Sequence, residues 1–197
     1  MVIDKVTMLI REGLILDFSE NECRGDEMQM TLKPVEKSQE QTLLNLMEKY
    51  EYEFSQYHGW DVEEDGLYGC EIEEEYWEEN EKYVAYFIEA DGNLAGFVMI
   101  GEGNEGDKET DYLVSEFFVM HKYRRFGIGK QAFYQILDKY KGTWQVLYNP
   151  KNTTSAGFWE RAIDEHTDGK YEHIKSHPHE DYVYEDGTLG NVIYFSN

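Results

Sequence analysis

Cysteine is scarce in this chain, and so are positive charge and long apolar runs. The only two cysteines, Cys23 and Cys70, are too few and too far apart for a disulfide framework or a zinc site. No apolar run approaches the roughly 20 residues that span a bilayer. Arg11 and Glu12 interrupt the short apolar stretch near the amino terminus, which argues against a signal peptide. We therefore predict a cytoplasmic protein with no membrane partner and no metal.

Positive charge is also sparse, because 18 Lys and Arg residues oppose 41 Asp and Glu residues, for a formal net charge of −23. Such a charge disfavours nucleic acid and anionic membrane surfaces as partners. Residues 61–81 contain eleven acidic residues and no Lys or Arg. This acidic run either steers a cationic amine towards a site or is an ordinary solvated surface, and both interpretations stay open.

The chain contains enough apolar side chain for one globular domain. Hydrophobic residues make up 41% of the sequence and aromatic residues 15%, and a chain of 197 residues can bury a sizeable core. We predict a single domain over residues 28–197. Residues 1–27 are an amino-terminal extension, which is either an extra strand and turn or a segment that is not native to the protein.

Hydrophobic periodicity predicts alternating strands and helices along the domain. Asp91-Gly92-Asn93 is a strong hairpin signal between two of the strands. The region 54–71, with scattered aromatic residues and three glycines, suits a loop. The predicted strands are 30–34, 82–90, 94–101, 112–120, 143–148, 171–176 and 192–195. The predicted helices are 38–53, 73–80, 128–140 and 155–166.

The most informative segment joins the strand 112–120 to the helix that follows it. Residues 124–129 read Arg-Arg-Phe-Gly-Ile-Gly and place a basic, glycine-bearing turn at a helix amino terminus. The first N–H groups of a helix have no partner inside it, and the helix dipole favours an anion there. The arginine side chains add forked donors for phosphate oxygens. A basic island of residues 122–130 in so acidic a chain therefore predicts a phosphate-bearing ligand.

The spacing of this turn differs from the common nucleotide-binding loops. Arg124, Gly127 and Gly129 instead resemble the coenzyme-A-binding motif Arg/Gln-x-x-Gly-x-Gly/Ala of the GNAT superfamily of N-acetyltransferases. The likeness is to a bacterial subgroup, and it is strongest over residues 83–166. It implies a single-domain α/β (α+β) fold with a mixed, mostly antiparallel sheet and helices on both faces. It also implies that the strands before and after the motif splay apart to admit the pantetheine arm of acetyl-CoA.

A second segment supports the same resemblance. Asn152 to Trp159 is similar to the family's Asn-x-x-Ala-x-x-Phe-Tyr, with Ser155 in the alanine place and Trp159 in the tyrosine place. We expect Asn152 to contact the cofactor or to cap the helix, Trp159 to pack beside the cofactor, and Phe158 to lie in the core. The cofactor-binding residues that the resemblance implies are Phe118, Val119, Arg124, Arg125, Phe126, Gly127, Ile128, Gly129, Lys130, Asn152, Ser155, Phe158 and Trp159.

Glu116 is the candidate general base for acetyl transfer to an amine. Strand alternation places it on the same face as Val114 and Phe118, an apolar setting that suits a base near neutral pH. It is equally compatible with a carboxylate satisfied by a neighbouring side chain. Because an indole N–H is not an acid at neutral pH, Trp159 cannot protonate the departing thiolate. That thiolate leaves with dipole assistance alone, or Tyr148 supplies the proton.

Two functions follow from these residues. The first is an acetyl-CoA-dependent N-acetyltransferase acting on a small-molecule or protein amine, and the second is a non-catalytic module that binds or senses acyl-CoA.

The histidines at 173, 177 and 179 do not have the spacing of a metal site, because Pro178 breaks it. Aromatic residues within 52–77 either line an acceptor pocket or pack in the core. The protein is expected to be a monomer or homodimer.

Overall fold

The computed structural model describes residues 28–104 and 106–197, so the extension predicted at 1–27 lies outside the described residues. The described chain forms seven strands and three α-helices, with short 3-10 turns between them. In chain order these elements are β1 (Met30–Pro34), α1 (Glu40–His58), β2 (Val84–Ala90), β3 (Asn93–Gly103), β4 (Thr110–Val119), α2 (Ile128–Lys139), β5 (Thr143–Tyr148), α3 (Thr153–Thr167), β6 (Tyr171–Ile174) and β7 (Asn191–Ser196).

The strands form one sheet in the order β1-β2-β3-β4-β5-β7-β6. Neighbouring strands are antiparallel except for β4 and β5, which are parallel. Helix α1 packs on one face of the sheet, and α2 and α3 pack on the other. The mixed, mostly antiparallel sheet with helices on both faces is therefore confirmed.

Helix α1 is longer than its apolar stripe predicted. Leu43, Leu46 and Met47 are buried against the sheet, as the 3.6-residue period requires. The stripe continues through Tyr50 into the predicted loop, so the helix ends only where Gly59 takes a left-handed φ of 77°. The prediction that a loop begins at residue 54 is therefore wrong, because the helix continues for about one more turn, to His58. The helix predicted over 73–80 is only a 3-10 turn, Glu74–Trp77.

Strand β4 contains a β-bulge that corrects the predicted alternation. Met99 of β3 pairs with Glu116, and Ile100 pairs with Val114, which leaves Ser115 as the extra residue. Val114 consequently packs with α2 and α3, whereas Phe118 packs with α1. The prediction that Val114, Glu116 and Phe118 share one face is wrong, because the bulge shifts the phase of the strand.

Strands β4 and β5 separate soon after they begin to pair. Their register contains only Tyr112 opposite Trp144 and Leu113 opposite Gln145. Beyond this point β4 continues its pairing with β3, and β5 continues its pairing with β7. A wedge-shaped gap therefore opens between residues 114–119 and 146–148, as the resemblance implied. We call it the β4–β5 gap.

Glu51 of α1 should make stability depend on pH. Its Oε2 atom is buried and has no hydrogen-bond partner among the described residues, and burial, followed by the charge of Glu48, raises its pKa to about 7. This folded pKa exceeds that of an exposed carboxyl, about 4.3. The neutral form of Glu51 therefore favours the folded state. Its contribution to the free energy of unfolding is fully present below about pH 4.3 and is lost as the pH rises through about 7.

We expect Glu51→Gln to stabilise the protein at pH 8 by about 1–3 kcal/mol, since each pKa unit corresponds to about 1.4 kcal/mol and solvent screening of the partly exposed side chain reduces the effect. The gain should shrink when urea unfolding is repeated at pH 5.5. Glu64→Gln, which changes an exposed carboxyl, is the control and should show no comparable trend. A gain for Glu51→Gln that is the same at both pH values would contradict this assignment.

Candidate active site

The turn between β4 and α2 presents open space in front of a helix amino terminus. Gly127 precedes α2 with a left-handed φ of 79°, a conformation that glycine adopts at little cost. A Cβ placed there would meet only Gln131 Nε2, at 3.7 Å. The first N–H groups of α2 can therefore reach an anion at close range.

Arg124 is held inside the protein rather than pointing freely at this space. Its Nη2 atom donates to both carboxylate oxygens of Glu53 on α1, at 2.8 and 2.7 Å. Its Nε atom donates to the Val119 carbonyl at 2.6 Å, and His121 Nδ1 lies 3.2 Å from its Nη1 atom. The guanidinium thus connects α1 to the end of β4, a contact that the sequence did not predict.

The other members of the basic island are placed differently. Lys130 forms an exposed ion pair with Glu165, 2.9 Å away. Arg125 is exposed, has a positive φ of 72° and makes no ion pair with any described residue. Phe126 is 53% exposed, whereas the Ile128 side chain is buried in the core, so that only its backbone can face a ligand.

Val119 presents its backbone to the β4–β5 gap. The Met120 N–H donates to Ala95 on the β3 side, and the Phe118 carbonyl also points there, since a Cβ on Gly96 would lie 1.9 Å from it. Because C=O and N–H point in opposite directions within a trans peptide unit, the Val119 N–H and C=O face the gap. Arg124 donates a hydrogen bond to the Val119 carbonyl, and the Val119 N–H is available to a ligand.

The start of α3 combines a helix cap with two aromatic side chains. Asn152 Oδ1 accepts the Ser155 N–H at 3.0 Å, so the capping interpretation of Asn152 holds. Trp159 is buried, with its ring 5.2 Å from the Phe133 ring, and Phe158 is only half-buried. Phe158 is therefore less buried than predicted, because residue 159 lies on the sheet-facing stripe of α3, and the contact of Trp159 with the cofactor stays a prediction.

Glu116 lies on the α1 face among hydroxyl groups. Tyr50 of α1 forms a hydrogen bond with its carboxylate, and burial together with this negative charge raises the pKa of Tyr50 well above its usual value. The Tyr76 hydroxyl donates to Ser115 Oγ at 3.1 Å. Sequence reasoning missed Tyr50, Tyr76 and Ser115 as neighbours of Glu116. The apolar stripe of α1 could have placed Tyr50 on the sheet, but nothing local shows which strand it meets.

Tyr148 lies on the opposite face of the sheet, with α2 and α3. Its hydroxyl donates to Glu160 Oε1 at 3.2 Å and lies 2.9 Å from His173 Nε2. Burial is the main cause that raises its pKa to about 12. The hydroxyl therefore has partners within the protein, and it is separated from Glu116 by the thickness of the sheet.

The described residues contain no cluster of three or more His, Cys, Asp or Glu side chains arranged to hold a metal ion. His177, one of the histidines set aside from the sequence, is buried, and its Nε2 atom lies 3.5 Å from Asp107. Among the described helices, none combines the length and the apolar character that a bilayer crossing demands.

The open turn, the parallel pair of splayed strands and the capped helix after β5 occur in the order that the resemblance implied. The model of the Acetyltransferase (GNAT) family matches residues 41–163, more than half of the chain. The chain belongs to the GNAT family. This membership confirms the family, the fold and the enzyme class, an acetyltransferase, that the two motifs predicted. A search of curated proteins found no match.

Solved structures of GNAT enzymes share this fold at low sequence identity. An acetyltransferase from Thermus thermophilus has a TM-score of 0.54 and 13% identity, over 88% of this chain and 100% of that one. Arabidopsis thaliana NAA60, solved with acetyl-CoA, has a TM-score of 0.52 and 12% identity, over 85% and 98%. A second Arabidopsis enzyme, solved with the bisubstrate analogue CoA-Ac-MVNAL, has a TM-score of 0.51 and 13% identity, over 85% and 99%.

Proposed function

We propose that this GNAT enzyme transfers the acetyl group of acetyl-CoA to a primary amine, with Glu116 as the general base. The observation that carries the proposal is the position of Glu116 beside the β4–β5 gap, with its side chain on the face covered by α1. An amine that enters from the α1 side meets this carboxylate before it meets the gap. Since a free alkylamine titrates near 10, it must lose a proton before it can attack.

The residues around the turn fit the pyrophosphate of acetyl-CoA. The space in front of Gly127 and the N–H groups of the first turn of α2 supply an anion cradle, and the adjacent Arg125 is an exposed cation without an ion pair to any described residue. The Val119 N–H is oriented to pair with the pantetheine arm. Arg124 supports this geometry from inside, because it holds the Val119 carbonyl and Glu53 together. These contacts favour Arg125 over Arg124 as the side chain that meets phosphate.

The departing thiolate has less support from side chains. Trp159 is packed in the core, and the Tyr148 hydroxyl is engaged by Glu160 and His173. The N-terminal dipole of α3, whose first turn follows β5 directly, favours a negative charge near the gap. We therefore assign the stabilisation of the thiolate to this dipole, with Tyr148 as the alternative proton donor.

Thiol release from acetyl-CoA across a panel of small amines and amino-terminal peptides tests the proposed function. We expect release that depends on the amine, together with an acetylated product detected by mass spectrometry. Tight binding of acetyl-CoA without turnover on any amine would support a sensing module instead. The panel includes both small-molecule and protein amines. The peptides are included because one Arabidopsis enzyme of similar fold was solved with the bisubstrate analogue CoA-Ac-MVNAL.

A further inference from the structure

The NH2 group of Asn149 is a buried donor without a partner in the part of the chain that the structure describes. Asn149 directly follows β5, is 1% exposed and leaves its Nδ2 atom without a hydrogen-bond partner among the described residues. Its Oδ1 atom accepts the Lys151 N–H at 2.9 Å. Because only an oxygen can accept that bond, the amide orientation is settled and the NH2 group is the unsatisfied end. Buried donors in folded proteins nearly always have a partner.

The position of Asn149 relates this donor to the β4–β5 gap. Trp144, Val146 and Tyr148 of β5 face α2 and α3, whereas Leu147 packs on the other face. The alternation places Asn149 with Leu147, on the same side of the sheet as α1, where the segment around Tyr182 covers it. Glu116 lies on the same face of β4, so the two side chains border the gap from opposite sides.

Acetyl transfer creates a need for such a donor. The amine nitrogen forms a bond to the thioester carbonyl carbon, the amine proton goes to Glu116, and the C–S bond breaks with its electron pair on the thiolate. Between these events the carbonyl oxygen carries negative charge, which N–H donors in a dry site stabilise strongly. We propose that Asn149 Nδ2 donates to the thioester carbonyl oxygen of acetyl-CoA, an inference that rests on the proposed function.

Calorimetric titration with acetyl-CoA and with CoA tests the assignment, because only acetyl-CoA has the carbonyl. Asn149→Asp keeps an oxygen for the Lys151 N–H and loses the donor. For this variant we expect the ratio of the Kd for acetyl-CoA to the Kd for CoA to rise on the order of tenfold, as for one lost hydrogen bond beside a buried charge. A residue that only shapes the turn would leave the ratio unchanged.

Gln145→Glu is the matched control. Gln145 lies on β5 itself, on the face of Leu147, is also 1% exposed and also has an NH2 group without a partner among the described residues, but it sits where β4 and β5 are still paired. We expect its ratio to equal that of the parent protein. An equal rise in both variants would trace the effect to burying a carboxylate and would overturn the assignment.

The remaining outcomes concern the folding of the variant and the binding of the parent protein. If Asn149→Asp fails to fold, as judged by circular dichroism, Asn149→Ala takes its place, since the ratio compares two ligands on one protein. An unchanged ratio in the variant that folds overturns the assignment and leaves the proposed function standing. A parent protein that binds neither ligand overturns both.

Discussion

Glu116→Gln is expected to lower kcat for amine acetylation by about 10²–10⁴-fold, with the Kd for acetyl-CoA nearly unchanged. Glutamine keeps the shape of the side chain and the contact with Tyr50, but it cannot accept the proton of the amine. The loss should therefore fall on the chemical step rather than on cofactor binding. Steady-state kinetics with saturating acetyl-CoA, together with titration of acetyl-CoA into the free enzyme, separates the two.

The control for this variant is Glu102→Gln, which changes an exposed carboxyl of β3 and should leave both constants at parental values. Raising the pH should partly restore the rate of Glu116→Gln, because a larger fraction of the amine is then neutral. A kcat equal to that of the parent protein from pH 6 to pH 9 would remove Glu116 from the mechanism.

Arg124→Ala is expected to destabilise the fold by about 2 kcal/mol and to weaken acetyl-CoA binding about tenfold or more. The variant removes the arginine donor from the Val119 carbonyl and leaves the half-buried Glu53 carboxylate with only His121 beside it. Both the turn and the edge of the gap should then lose their fixed geometry. Urea unfolding gives the stability change, and titration with acetyl-CoA gives the affinity change.

Glu53→Gln distinguishes this clamp from direct phosphate binding. If Arg124 acts through its contact with Glu53, both variants weaken acetyl-CoA binding, and a double-mutant cycle gives a coupling of about 1–2 kcal/mol. If Arg124 instead bound phosphate directly, Glu53→Gln would free the guanidinium and tighten binding. The exposed pair of Lys108 and Glu172 is the control, for which we expect coupling below about 1 kcal/mol.

The sequence allowed the turn between β4 and α2 and the helix after β5 to be predicted because their signals are local. Gly127 marks a left-handed position between a strand and a helix, and Asn152 marks a cap three residues before the N–H that it accepts. Both features lie within a few residues of chain. The order of elements, which identifies the fold, follows from the same short-range patterns.

The surroundings of Glu116 could not be predicted, because they depend on contacts between distant parts of the chain. Tyr50 and Glu53 are far from Glu116 and Arg124 in sequence, and no periodicity states which strand a helix face will meet. The bulge at Ser115 has no composition signal that distinguishes it from a regular strand residue. Asn149 resembles any other turn asparagine until its burial is known.

The bulge in β4 has a further consequence for how this enzyme can change during evolution. In a regular strand, consecutive side chains point to opposite faces, so a hydroxyl and a carboxylate on one face must be two residues apart. Ser115 and Glu116 are covalent neighbours, yet both contact tyrosines on the α1 face. Their spacing is set by one peptide unit and does not depend on how the helices shift. The loops around α1 are therefore free to diversify while the Ser115 hydroxyl and Glu116, the proposed base, keep their relative positions.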